Sequence, residues 1–368
     1  MEMNVKKIIF LQENAYGKSG IARVVNMIAN QLYEKNYKVE MISIIHEDNN
    51  PCFYLEKGIE IKNLGFKIFN LKMNSLQASY RLNKLLSKKD RALFVVCEIG
   101  NVLLADLGLH GFLNYKKIVW LHTNSNHGSE YGFAGIGRRI AFDKFDKIIT
   151  LTKEDEQYLV DKFNKKEKLM QIYNPFDPKF IEKKYNIKSN RIISCGNLYT
   201  VKGFEAAIKV ANEIFKNDIS ENWQWDIYGD GPEKNNLIEL IKTYHLEDKV
   251  ILKGYESNIY SVYHNYAINV FTSIHEGCPM AMVEAKSAKL PIVSFDFPCG
   301  PKDMIIDGVN GYIIPNRNIE EMAKKILYLI ENDEIREKFS NNATSCLEEM
   351  TMEYVMHKWS SLIDSEEN

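Results

Sequence analysis

One pattern restricts the fold of this 368-residue chain more than any other: short apolar runs alternate with helix-length segments, the alternation stops, and then it starts again. Strand-like runs at Ile8–Leu11, Val39–Ile45, Ala92–Cys97, Lys117–His122 and Lys147–Leu151 are separated by helical patterns such as Ile21–Tyr33. Runs this apolar belong inside a parallel sheet, covered on both faces by the helices that connect its strands. The breaker cluster Tyr173-Asn-Pro-Phe-Asp-Pro178 ends the series, and a polar stretch, Glu182–Arg191, follows it. Ile192-Ile-Ser-Cys-Gly-Asn197 then opens a new strand and glycine turn, as Ile8–Gly20 did at the start. Strands at Trp225–Tyr228, Val250–Lys253, Ile268–Phe271 and Ile292–Phe295 continue the second series, with a helix over Glu233–Tyr244. The expectation is an α/β chain of two Rossmann-like domains, 1–178 and 188–350, long enough to bury two cores. The tail, 351–368, carries a helical pattern over Met352–Ile363 with Tyr354, Val355 and Trp359 on one face. That helix is expected to cross back and pack on the first domain.

Composition removes several classes of function. A charged fraction of 26% with a net charge of −2 gives no electrostatic footprint for a nucleic acid. The six cysteines form no CxxC pair, which reads as idle or buried thiols in a reducing cytoplasm. The first residues run straight into a strand, so no signal peptide is expected, and no 18-residue apolar run suggests a transmembrane helix. One stretch departs from this even balance. Ile61–Arg91 holds eight basic residues against one acid, Asp90, interleaved with Phe66, Ile68, Phe69, Leu71 and Met73. Two readings stay open: a surface that rests on anionic lipid headgroups, or the solvated face of an amphipathic segment.

In doubly wound sheets ligands sit beyond the carboxyl ends of the strands, and the chemically loaded residues here follow strands. Glu276 and Glu284 lie eight positions apart, with the turn Gly277-Cys278-Pro279 after the first and a helical run from Met280 carrying the second. Two carboxylates can each hold a pair of sugar hydroxyls, and a helix start welcomes an anion. Eight helical residues rise roughly 12 Å, about the span from the hexose to the ribose of a sugar nucleotide. Pro279 suits the first helical position, where its missing N–H is no loss. Gly17, Ser19 and Gly20 form a second glycine turn before a helix, where backbone can approach a phosphate closely. No Asp-x-Asp pair occurs to hold a divalent cation against a diphosphate, and no histidine shows metal-ligand spacing, so no metal is expected.

Five motifs in order, GNLYTVKGFEAAI (196–208), IYGDGPEKNNL (227–237), VILKGY (250–255), HEGCPMAMVEA (275–285) and DGVNGYIIP (307–315), together with GKSGIARVV (17–25) and IVWLHTN (118–124), carry a resemblance over nearly the whole chain. It resembles the retaining GT-B glycosyltransferases called glycosyltransferase family 4. The resemblance implies two facing domains around a central cleft, acceptor on the first and nucleotide sugar on the second. It implies hexose transfer from a UDP-sugar with retention and without a metal or other cofactor.

Residue by residue, it places Glu276 at the transferred hexose, Lys202 at the diphosphate, and His122 at the hexose 6-hydroxyl. Glu284 falls on the ribose. Gly17, Ser19, Gly20, Asn197, Gly229, Gly254, Tyr255, Gly277, Cys278, Pro279 and Met280 fall around the donor. His127 lies close enough to His122 to touch an acceptor. Phe297–Pro301 forms a rigid turn facing the donor. The family's arginine is replaced by Asn197, with Arg23 or Lys18 as cations to fill in. The acceptor implied is a saccharide, lipid-linked, in capsule, O-antigen or lipopolysaccharide synthesis on the cytoplasmic side of a membrane. The alternatives are a GT-B sugar-nucleotide epimerase or hydrolase, and a non-catalytic subunit of a glycosyltransferase complex.

Overall fold

The computed structural model describes residues 7–48, 50–126, 128–176 and 184–365. Its strands, in chain order, are β1 (Lys7–Gln12), β2 (Lys38–Ile45), β3 (Glu60–Phe66), β4 (Ala92–Val96), β5 (Tyr115–Trp120), β6 (Lys147–Thr150), β7 (Leu169–Gln171), β8 (Arg191–Cys195), β9 (Gln224–Tyr228), β10 (Val250–Gly254), β11 (Ile268–Phe271), β12 (Ile292–Phe295) and β13 (Gly311–Ile314). They form two sheets. The first has the order β3-β2-β1-β4-β5-β6-β7 and the second β10-β9-β8-β11-β12-β13. Every pairing between these strands is parallel.

The chain divides into a unit of residues 1–175 with 352–368 and a unit of residues 176–351. The division falls at Pro175, ahead of the boundary read from the breaker cluster; Pro178 lies outside the described residues, as does His127. Each unit is an α/β sandwich. In the first, Ile9, Leu11, Phe94, Val96 and Val119 point to one face of the sheet. They pack there against Ala78 and Leu82, Leu104 and Ala105, and Ala141 and Phe142 from three successive helices. Phe10 and Trp120 point to the other face, where Trp359 meets both rings at 6.0 and 4.9 Å. Trp359 sits on the last helix, Met352–Ser365, with Val355 and Leu362 also fully buried. Tyr354 is 37% exposed, so it is not on that face. Helical geometry puts 355, 359 and 362 on one stripe and turns 354 about 100° away.

Three strands escape the sequence reading. β3 lies inside the basic stretch, with a register irregularity opposite Ser43 and Ile45, and β7 and β13 are short edges. β5 begins and ends two residues earlier than expected, so His122 stands beyond the strand. The ladder holds through the Leu121 N–H, which donates to the Ile149 carbonyl at 2.9 Å, and then the chain leaves the sheet.

Candidate active site

In both sheets the strand order reverses beside the first strand: β1 lies between β2 and β4, and β8 between β9 and β11. Crossovers leave such a point toward opposite faces, so a crevice opens beyond the carboxyl ends of the two flanking strands. In the second unit those strands are β8 and β11. The loops that follow them, Gly196–Gly203 and Thr272–Pro279, contain Lys202 and Glu276.

Lys202 Nζ donates to Glu276 Oε1 at 2.6 Å, and Ser273 Oγ donates to the same oxygen at 2.7 Å. The two charged side chains are 25% and 13% exposed, shielded yet open to solvent on one side. Thr272 Oγ1 donates to the Lys202 carbonyl at 3.2 Å and ties the loops together. The approach is so close that a Cβ on Gly203, at φ 65°, would lie 2.1 Å from the Thr272 carbonyl oxygen. Only glycine allows that conformation and that contact together.

The neighbouring turns stack by backbone bonds. Gly196 N–H donates to the Tyr228 carbonyl at 3.0 Å, Leu198 N–H to Asp230 at 2.9 Å, and Gly229 N–H to Gly254 at 2.8 Å. A Cβ on Gly229 would fall 1.9 Å from the Gly196 carbonyl oxygen. Asn197, Gly229 and Gly254 are thereby gathered at one edge, with Tyr255, 60% exposed, just beyond. On the other side the Phe297–Pro301 turn braces the Glu276 loop: Glu276 N–H donates to the Pro298 carbonyl at 3.4 Å.

The helix that follows is Met280–Ser287, so Pro279 is its N-cap and not its first helical residue. The Pro279 carbonyl accepts from Met282 N–H at 2.8 Å, and its φ of −71° suits the ring. Gly277 and Cys278 therefore belong to the turn, and Met280 opens the helix. The span from Glu276 to Glu284 is also shorter than an eight-residue helix, because only the four steps from Met280 rise helically, roughly 6 Å. Glu284 is buried, 4% exposed. The Tyr263 hydroxyl lies 3.4 Å from its Oε2 and 3.3 Å from the Ala281 carbonyl, one proton serving both. Burial keeps the Tyr263 phenol protonated well above its ordinary range and raises the Cys195 thiol as well, with the nearby Glu284 charge adding to both.

Two more groups at this edge were not foreseen. Ser273 shares Glu276 with Lys202. Arg317 donates from Nη1 to the Thr272 carbonyl at 3.0 Å, 5.7 Å above the Phe295 ring, which sets a guanidinium beside Gly203.

The first unit presents its own set. The loop after β1 leads through Gly17 to Ser19, whose Oγ accepts from Ala22 N–H at 3.1 Å and caps the helix Gly20–Glu34. The helix thus begins at Gly20, and a Cβ there would meet nothing within 4 Å, which leaves open space at the first turn. His122 packs on Trp120 at 4.4 Å, and burial pushes its imidazole down to about 3, so it is neutral at physiological pH. Its Nε2 and the indole N–H groups of Trp120 and Trp359 have no protein partner among the described residues, and neither has the amide of buried Gln12.

Glu98, just past β4, carries no motif. The Glu13 backbone N–H lies 3.3 Å from both its carboxylate oxygens, and Asn101 donates to it at 3.3 Å. Burial outweighs those bonds and raises it to about 7. Its folded pKa therefore lies above the ordinary value of 4.5, and the folded state holds the proton more tightly. The stability this contributes is complete below pH 4.5 and is lost as pH rises through 7, on the order of 3 kcal/mol in all. Glu98→Gln should remove that slope: its melting temperature should change less between pH 5 and 8 than that of the parent. Parallel curves would contradict the assignment.

Residues 177–345 match the family described as glycosyl transferases group 1. The chain is 29% identical over 359 residues to a Haemophilus influenzae protein named as an uncharacterized glycosyltransferase, covering 98% of this chain and 100% of that one. It is 27% identical over 365 residues to a Staphylococcus aureus poly(ribitol-phosphate) alpha-N-acetylglucosaminyltransferase, covering 89% of this chain and 70% of that protein. A solved point mutant of S. aureus TarM, in complex with fondaparinux, alpha-GlcNAc-glycerol and UDP, aligns with a TM-score of 0.83 at 18% identity over 99% of this chain and 100% of that one.

Proposed function

We propose that the chain, whose residues 177–345 match the glycosyl transferases group 1 and whose two doubly wound sheets are those of the GT-B fold, moves a hexose from a UDP-sugar to a saccharide acceptor, with retention and without a metal. The observation that carries the reading is the Lys202–Glu276–Ser273 cluster at the strand-order reversal of the second sheet. A cation, a carboxylate and a hydroxyl converge where a sugar diphosphate would lie, and the helix start at Met280 adds positive potential.

In this reading Lys202 leaves Glu276 for the diphosphate when the donor arrives. Arg317 supplies charge beside Gly203, the residue that follows Lys202. Glu276 and His122 take sugar hydroxyls, His122 as a neutral imidazole. Glu284, buried and steadied by Tyr263, takes the ribose. Gly17, Ser19, Gly20 and Gly277–Met280 offer backbone N–H groups and close approach. Gly229, Gly254 and Tyr255 flank the base. The anomeric carbon–oxygen bond to UDP breaks, the acceptor oxygen forms its bond on the same face, and the departing diphosphate takes the acceptor's proton.

The S. aureus relative is named for poly(ribitol-phosphate). That supports a bacterial surface polymer or a lipid-linked saccharide as the acceptor, with the enzyme working in the cytoplasm at the inner face of the membrane. No helix among the described residues is long and apolar enough to cross a membrane.

The test is a thermal-shift panel in EDTA with UDP, GDP, ADP and UDP-hexoses. UDP at a hundredfold excess over its dissociation constant should stabilise the native state by about 2.7 kcal/mol. Glu284→Ala should weaken UDP binding about 10- to 100-fold, since a charge-assisted hydrogen bond contributes about 1.5–3 kcal/mol. A shift with ADP or GDP but none with UDP would overturn the base assignment. UDP-sugar breakdown without acceptor would favour an epimerase or hydrolase, and no shift with any nucleotide would favour a non-catalytic subunit.

A further inference from the structure

The basic stretch resolves into parts with different fates. Phe66 is buried and meets Phe69 edge-on at 5.5 Å, while Arg81 lies over Phe66 at 4.4 Å and donates to the Leu64 carbonyl at 2.5 Å. Lys62 pairs with Glu40 at 3.0 Å, and the one acid, Asp90, is taken by Lys7 at 2.7 Å. These residues are occupied in building the first unit.

What remains outside is a different set. On the helix Leu71–Leu85 the core side is formed by Ala78, Ser79 and Leu82. About half a turn away, Met73, Leu76, Tyr80 and Lys84 follow at intervals of three, four and four residues and so share one outward stripe. Met73 is 81% exposed, Leu76 74% and Tyr80 58%, and Ile68 just before the helix is 86% exposed. Lys67, Lys72, Lys84, Lys88 and Lys89 stand exposed around them, and Lys84 Nζ rests 4.6 Å over the Tyr80 ring.

An amphipathic helix normally turns its apolar stripe inward. This one buries a narrow side of Ala78, Ser79 and Leu82 and shows water an equally ordered apolar stripe framed by lysine. Single exposed apolar residues need no explanation, but three in register on one helix, with Ile68 exposed just before it, do. The charge says what they meet. From Ile61 to Arg91 the balance is eight basic residues minus one acidic, or +7, within a chain of net −2, and the acid is already paired with Lys7.

We propose that the Ile68–Tyr80 stripe and its lysines form a docking surface for an anionic lipid bilayer. The apolar side chains enter the boundary between headgroups and acyl chains, and the lysines lie among the phosphates. The contact is peripheral and reversible, and it holds the first unit at the surface where a lipid-linked saccharide would be met. It does not depend on the glycosyltransferase reading, because it is tested without any sugar.

The test is flotation of the full chain with vesicles of phosphatidylcholine alone and with 30% phosphatidylglycerol, at 0.1 and 0.5 M NaCl, beside Leu76→Glu/Tyr80→Glu. Both positions are exposed, so the variant should keep the parent's melting temperature and its UDP shift. The parent should float with the anionic vesicles at least about tenfold more than with neutral ones, lose most of that in high salt, and lose nearly all of it in the variant. Equal flotation on both vesicles, no flotation at all, or a variant that floats like the parent would each overturn the proposal. So would a parent that ignores vesicles and sediments as a dimer which the variant converts to monomer, since the stripe would then meet a second copy of the chain.

Discussion

Lys202→Ala is expected to lower kcat about 10²- to 10³-fold, the cost usual for removing one preorganised charge from a leaving group. The same variant leaves the Glu276 carboxylate, 13% exposed, with the Ser273 hydroxyl donating to it at 2.7 Å. Glu276→Ala should lose turnover to a similar degree, and the two losses should not add, because the residues form one hydrogen-bonded cluster. Lys202→Arg is the informative control. It restores charge with a planar fork in place of a compact ammonium, so part of the activity should return if Lys202 acts on a diphosphate. Glu284→Ala should instead raise KM for the donor with the smaller effect on kcat. Full activity in Lys202→Ala and Glu276→Ala would remove this cluster from the mechanism, whatever the nucleotide-binding results.

The second large effect is on stability. Trp359→Ala removes a fully buried indole from the face of the first sheet, where it touches Phe10 and Trp120. Truncating such a side chain costs about 3–5 kcal/mol, which for a unit of this size lowers the melting temperature by roughly 6–20 °C. The loss should be confined to the first unit, so calorimetry should resolve two transitions, with UDP still raising the later one. Trp359→Phe keeps an aromatic ring and should recover most of the loss. Through Trp120, whose ring contacts His122 at 4.4 Å, the alanine variant should also disturb the imidazole, visible as a shifted His122 resonance. An unchanged first transition would mean that the helix Met352–Ser365 contributes little to that core.

How much of this was readable beforehand depended on burial. The central strands announce themselves because β1, β4, β8 and β11 are covered on both faces and are largely apolar. β3 does not, because the edge sequence EIKNLGF keeps polar residues and a glycine exposed and resembles the basic segment that follows it. Among the site residues, Lys202, Glu276 and Glu284 stood out from local motifs. Ser273, three residues before Glu276, was open to the same reasoning but carries no distinctive signal. Tyr263 and Arg317 were beyond it: each reaches the site from a separate loop or single-turn helix, and only the stacking of strand ends brings them there. Glu98 was hidden for another reason. Its unusual proton affinity comes from burial beside the β1 loop, which no spacing encodes. The span assigned to Glu276–Glu284 was too long because Pro279 caps the helix and shortens it by a turn.

The division of the chain has a consequence for the order in which the molecule is made. The first unit's sheet is complete by Gln171, but the indole that closes its inner face is contributed by residue 359. The second unit is drawn from one continuous segment, 176–351, and contains everything its own core needs. During synthesis from the amino end, the unit that begins first is therefore the one that finishes last. It waits with Phe10 and Trp120 uncovered while the later segment emerges and closes. In that interval the nascent protein presents an aromatic surface that the finished one conceals.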